Sequence, residues 1–278
     1  MTSLFLLGLG AAIGSAVCFG IAAVVQASAV RDLGSQGDSL RWLAVHMWVH
    51  PPLLAVVIAY LAGFWLHAVA IWLLPLYLAQ ATVSLSLPIT AWVAARRLRE
   101  PMGTVAWMAV AAVVMGMVLL AFGSGKTGTE GIGTWFVVSL WLLVITLTVA
   151  GVGGRFENGV ELGALAGLGY AGTAIGVRGV TGTAESELTR VASAVAVPVL
   201  GMLAFWLYSK AMSRGTVAVA SSLVIVGQTM IPAFVGLLVL GDRVAAGREW
   251  AVGVGLVAAM AGAVVLSRRQ ERSLQLSR

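Results

Sequence analysis

Gln80, Ser84 and Pro88 recur at every fourth residue, so on a helix they share one face. Ser221, Gln228 and Pro232 repeat the arrangement further along, again at helical spacing. Such faces offer amides, hydroxyls and the backbone carbonyls that a proline ring leaves without a donor. These groups give and take hydrogen bonds without carrying charge. Their chemistry is the binding of a neutral or amphiphilic solute. The same groups also serve as packing contacts between buried helices, and both readings stand. Tyr60, His67, Tyr170 and Arg178 are the further candidates for a cavity or a head-group contact. Arg178 is expected to extend its guanidinium toward an interface; turned inward, it would favour an anionic head group. His67 is expected to be packed or interfacial, and the two tyrosines to belong to a core or a cavity wall.

Other chemistry is missing. None of the eleven carboxylates lies deep in an apolar run, whereas proton-coupled pumps usually place acids or histidines there. There is no acid/base pair, metal-ligand cluster or activated nucleophile, so neither an enzyme nor a cofactor is expected. Cys18 is the only cysteine, which excludes a disulfide framework. Gly167-Leu-Gly169-Tyr-Ala-Gly172 fits the dinucleotide pattern, but it lies inside an apolar run instead of between a strand and a soluble helix. Gly123-Ser-Gly-Lys126-Thr127 lacks the leading glycine of a phosphate loop and reads as a turn.

The elements that carry these residues follow from composition. The 278 residues are 60% apolar and 10% charged, against roughly 45–50% and about 25% in soluble domains. That excludes a soluble enzyme, a nucleic-acid-binding module and a disordered chain. The expected fold is an all-α membrane protein of about nine spans, near 4–29, 52–73, 75–98, 104–123, 132–151, 159–178, 190–211, 215–240 and 250–267. Pro75 marks the turn between the second and third. Ala27-Ser28-Ala29 resembles a cleavage site. No basic region precedes the first apolar run, however, and that run is too long for a signal peptide, so an uncleaved span is expected.

Arginine and lysine set the orientation. Twelve fall at one side of these spans, including Arg96, Arg97, Arg99 and a basic tail over 268–278, and five at the other. The positive-inside rule places the twelve in the cytoplasm, with the N-terminus outside a plasma membrane. Trp72, Trp135 and Trp250 then fall near the outer interface and Trp107 near the inner one. The segment 37–50, with Ser39 as a cap and Trp42 and Trp48 as anchors, reads as a short interfacial helix. It serves as a tethered connector, or else as a lid or lipid contact.

The third and eighth spans share a layout of small polar residues, a proline, and a charged turn. The first and sixth also correspond, Gly10-Ala-Ala-Ile-Gly14 with Phe19 matching Gly163-Ala-Leu-Ala-Gly167 with Tyr170. Spans one to four (residues 4–123) therefore match spans six to nine of a second half covering 132–267, with the fifth span extra. The offset of five is odd, so the halves enter the membrane in opposite directions. Inverted repeats of this kind build many secondary transporters, with the substrate site near the midplane.

On these residues the chain resembles the drug/metabolite transporter superfamily, in particular its EamA-like permeases. The resemblance lies in Pro88…Glu100 and Pro232…Asp242, each followed by a helix opening near a tryptophan, Trp107 and Trp250. A first half of four helices is similar to the branch of the NIPA proteins, described as magnesium transporters. The resemblance implies a multi-pass permease working by alternating access on a small neutral or amphiphilic solute. It also leaves open a divalent-cation carrier and a flippase of a lipid or lipid-linked sugar. A membrane scaffold is the alternative outside transport. Membrane lipids and a small-molecule or lipid-like substrate are the expected partners; nucleic acid is not, and a homodimer is allowed.

Overall fold

The computed structural model describes residues 3–33, 51–97, 103–128, 132–153, 156, 158–183, 185–214 and 217–276. The interfacial helix expected over 37–50 and most of the 98–103 turn lie outside them. In chain order the helices are α1 (Ser3–Leu33), α2 (Pro51–Leu73), α3 (Leu76–Thr82), α4 (Ser86–Arg97), α5 (Thr104–Phe122), α6 (Thr134–Val152), α7 (Gly159–Thr181), α8 (Glu187–Arg214), α9 (Val217–Leu238) and α10 (Glu249–Leu276). Among the described residues the only β pairing is an isolated antiparallel bridge between Ser124 and Val244. Among the described residues seven helices are long and apolar enough to cross a membrane. The apolar stretches 76–90 and 223–238 are shorter. The chain is thus an all-helical bundle suited to a bilayer, and the first helix runs unbroken through Ala27-Ser28-Ala29.

Helix ends follow local chemistry. Leu74 and Pro75 separate α2 from α3, since proline keeps the residue before it out of the helical region. Asn158 accepts from the Glu161 backbone N–H at 2.8 Å, capping α7. The third expected span changes to 3-10 winding partway along. A 3-10 turn at Val83–Leu85 separates α3 from α4, one turn before Pro88, whose ring clashes with the carbonyl four residues back. Thr82 donates to the Ala79 carbonyl at 2.6 Å and Ser86 to Val83 at 2.7 Å, so hydroxyls also compete for the backbone here. Pro232 and Pro198 sit inside α9 and α8 without a comparable break.

Packing is between specific partners. α1 lies on α2 and α4, α7 on α8 and α9, α5 on α10, and α3 on α9. Small residues set the closest approaches: Gly167 of α7 faces Gly227 of α9, and Gly116 of α5 faces Gly255 and Ala259 of α10. Trp72, Trp135 and Trp250 are exposed at one end of the bundle and Trp107 at the other. The loops 123–128 and 240–248 meet at the first of these ends, together with the Leu74–Pro75 turn.

Candidate functional site

At that end a buried polar knot joins four pieces of chain. The chain leaves α9 through Gly241, at φ 73°, and turns back so that Asp242 N–H reaches the Gly236 carbonyl at 2.8 Å. This points the Asp242 side chain inward. One carboxylate oxygen accepts the Gly128 backbone N–H at 2.7 Å, and the other accepts that of Leu76 at the start of α3. Arg178, in the last turn of α7, stands 3.7 Å from the same carboxylate, and both side chains are essentially inaccessible. Arg178 also donates to the Leu74 carbonyl at 2.8 Å. Burial pushes the Asp242 carboxyl above the ordinary carboxylate range, while Arg178 and the two backbone N–H donors pull it back. Glycines allow the fit: a Cβ at Gly236 would sit 2.6 Å from the Asp242 carboxylate, and one at Gly128 would overlap the backbone of Leu240 and Gly241.

The bridge at Ser124 and Val244 extends this closure. Arg243 N–H donates to the Lys126 carbonyl at 2.9 Å, and Ala245 N–H to Gly123 at 3.0 Å. Thr127 reaches the Leu73 carbonyl and the Tyr77 hydroxyl reaches the Arg243 carbonyl, both at 3.4 Å. The three connections between α2 and α3, α5 and α6, and α9 and α10 are therefore stitched together.

Below the knot lies a band of uncharged polar groups. Gln80 is buried, and its amide nitrogen stands 3.0 Å from His67 Nε2. The amide nitrogen donates to Nε2, and the other ring nitrogen is Nδ1. That Nδ1 is buried without a partner, as are the hydroxyls of Ser15, Ser84 and Thr229. The groups sit at related depths. α2 and α3 form a hairpin about Leu74–Pro75, which sets His67 level with Gln80. A Cβ at Gly236 of α9 would touch Leu76, so Thr229, two turns earlier, falls level with Ser84. On α1, Gly14 faces Leu66, which places Ser15 at the same depth. Phe19 completes this region, 6.1 Å from Tyr60 and 6.5 Å from His67, ring centre to ring centre. Tyr170 and Tyr208 lie close enough to Tyr60 to interact electrostatically.

The expected site residues are thus distributed as follows. Gln80 on α3, Ser84 in the Val83–Leu85 turn and Pro88 on α4 are buried, and Pro232 is buried in α9. Gln228 is half-buried, while the side chain of Ser221 lies outside the described residues. Tyr60, His67 and Tyr170 are half-buried near the Gln80 band. Arg178 departs from expectation: instead of reaching an interface it is 1% exposed and held inside by Asp242. A span-end arginine reaches outward only when no buried partner waits for it. Asp242, Ser15 and Thr229 were not singled out by spacing. Gly241 directly before Asp242 was the available signal for a chain reversal. Among the described residues no three His, Cys, Asp or Glu side chains cluster as metal ligands.

No family model, curated protein or solved structure matches the chain.

Proposed function

We propose that the chain is a multi-pass permease of the drug/metabolite transporter type that carries a small neutral or amphiphilic solute by alternating access. One observation carries the reading. The hydroxyls of Ser15, Ser84 and Thr229 and His67 Nδ1 are buried, level and unpartnered on α1, α2, the Val83–Leu85 turn and α9. Buried polar atoms are rarely left without partners, because each costs about 1–3 kcal/mol. Unpartnered polar groups carried on several helices at one depth suit a site that a hydrogen-bonding solute completes. The groups are uncharged, which suits a neutral solute better than Mg²⁺; that ion is normally held through one or two carboxylates.

The packing supports an inverted repeat. α1 lies on α2 and α4 as α7 lies on α8 and α9, while the corresponding pairs α5 with α10 and α3 with α9 join the halves. The nine spans, the cytoplasmic C-terminus and a plasma-membrane location belong to this same reading. In it the Arg178–Asp242 knot closes the outer end. The solute then meets the Gln80 band from the opposite side.

The test uses purified chain in proteoliposomes. Radiolabelled neutral solutes, Mg²⁺ and a fluorescent phospholipid are each assayed for movement. Solute uptake that Ser84→Ala combined with Thr229→Val abolishes, with the variant still folded, is the expected result. Mg²⁺ flux or lipid scrambling that survives both substitutions would overturn the reading.

A further inference from the structure

We propose that the cleft between α4 and α5 binds the acyl chain of an anionic phospholipid, with its phosphate held by Arg96. The inference rests only on the helices being embedded in a bilayer. It is independent of what is transported.

The cleft has a cause in the sequence. α4 packs on α1, where a Cβ at Gly20 would meet Ile89 and the Ser86 carbonyl. α5 is instead drawn to α10 through Gly116, Gly255 and Gly262. Between the two helices lies a cleft of about 210 Å³ lined by Pro88, Ile89, Trp92, Trp107 and Val110. Its lining is entirely apolar in character, and the two indoles flanking it are about half exposed, 49% and 53%.

A cation stands beside the cleft, on one of its lining indoles. Arg96 lies one turn beyond Trp92, exposed, with its guanidinium 4.9 Å from the Trp92 ring centre. A guanidinium over an indole face keeps N–H donors at its edge for oxygen acceptors. The sequence adds Arg97 and Arg99 directly after it. An apolar slot ending at a stacked arginine complements an acyl chain ending at a phosphate. A zwitterionic lipid brings its own cation to the same place. A soluble phosphate has nothing to put in the slot.

Native mass spectrometry of the full chain released from mild detergent tests this, with phosphatidylglycerol and phosphatidylcholine titrated separately. Wild type should hold one phosphatidylglycerol more tightly than any phosphatidylcholine. Arg96→Gln should weaken phosphatidylglycerol about fivefold, the share of one basic residue near a lipid surface, and leave phosphatidylcholine unchanged. Val110→Phe, which fills the slot, should weaken both lipids. Arg268→Gln, an exposed arginine at the same end of the bundle, should change neither. Equal binding of the two lipids by wild type, an equal loss in Arg268→Gln, or displacement of phosphatidylglycerol by free glycerol phosphate would each overturn the proposal.

Discussion

Removing one partner of the Arg178–Asp242 pair should cost far more than removing both in proportion. At 3.7 Å and an effective dielectric of about 20, the attraction of the two charges is about 4–5 kcal/mol. Neither group is exposed, so solvent screening takes little from it. In Asp242→Asn the amide oxygen can still accept from Gly128, but the amide nitrogen then faces the Leu76 N–H, donor against donor. A buried, unneutralised guanidinium remains. We expect a loss of about 3–5 kcal/mol. Arg178→Met leaves Asp242 with its two backbone donors and strips one donor from the Leu74 carbonyl, so the loss should be smaller, about 1–3 kcal/mol. The double variant should be more stable than the sum of the two losses by at least about 2 kcal/mol, the larger part of the range seen for residues in contact. Denaturant unfolding in mixed micelles, followed by tryptophan fluorescence on all four proteins, measures the coupling. A coupling below about 0.5 kcal/mol, as found for independent sites, would refute the claim that these groups act as one unit.

The other expectations follow from the same geometry. Cysteines replacing Ser124 and Val244, across the antiparallel bridge, should sit about 4.5–5.5 Å apart between Cα atoms and oxidise to a disulfide; transport should stop on oxidation and return on reduction, and unimpeded transport by the oxidised protein would remove the outer end from the cycle. Gly116→Ala would put a Cβ 2.6 Å from the Gly255 carbonyl and should cost about 1–3 kcal/mol in the same unfolding assay, whereas Gly253→Ala, with nothing within 4 Å, should be neutral or slightly stabilising. Gln80→Ala should lower proteoliposome uptake about tenfold, near 1.4 kcal/mol of lost transition-state binding, while lowering stability by less than about 1.5 kcal/mol; a purely structural amide would reverse that order. In a background without Cys18, a cysteine at Thr129 should react with an impermeant thiol reagent from outside and one at Ser273 should not, and the opposite pattern would invert the topology.

Much of the bundle was legible because length and apolarity alone specify a bilayer helix: among the described residues seven of the expected spans fall on long apolar helices, and the third and eighth on shorter ones. The His67–Gln80 pair was also within reach. Once Pro75 fixes the turn, residues about seven before and six after Leu74 must face each other at one depth. The interruption at Val83–Leu85 was harder. It needs the clash from Pro88 and the competing hydroxyls of Thr82 and Ser86 to act together, and Pro232 alone does not break α9. The partner of Arg178 was not legible. Glu185, Glu187, Asp242 and Glu249 all follow or precede spans at the same end, and each looks like a solvated turn acid. Only the reversal at Gly241 and the space left by Gly128 and Gly236 select Asp242.

The placement of charge bears on how such a bundle could work. A charge in the Gln80 band would be costly in the middle of a bilayer and would bind ions in preference to neutral solutes. At the end of the bundle a charge pair has a different property. Sealed from water, Arg178 and Asp242 attract each other strongly. Once hydrated, the same pair is worth only about 0–1 kcal/mol. The strength of the closure therefore depends on the closure being dry. A solute that favours the open arrangement need not break the full interaction in one step, because the first water to reach Asp242 weakens what remains. The backbone bridge at Ser124 and Val244 ties together the two loops that carry Gly128 and Asp242, so the ion pair and the bridge should fail together. Such cooperativity would make the end two-state, open or shut, as the proposed alternating access requires.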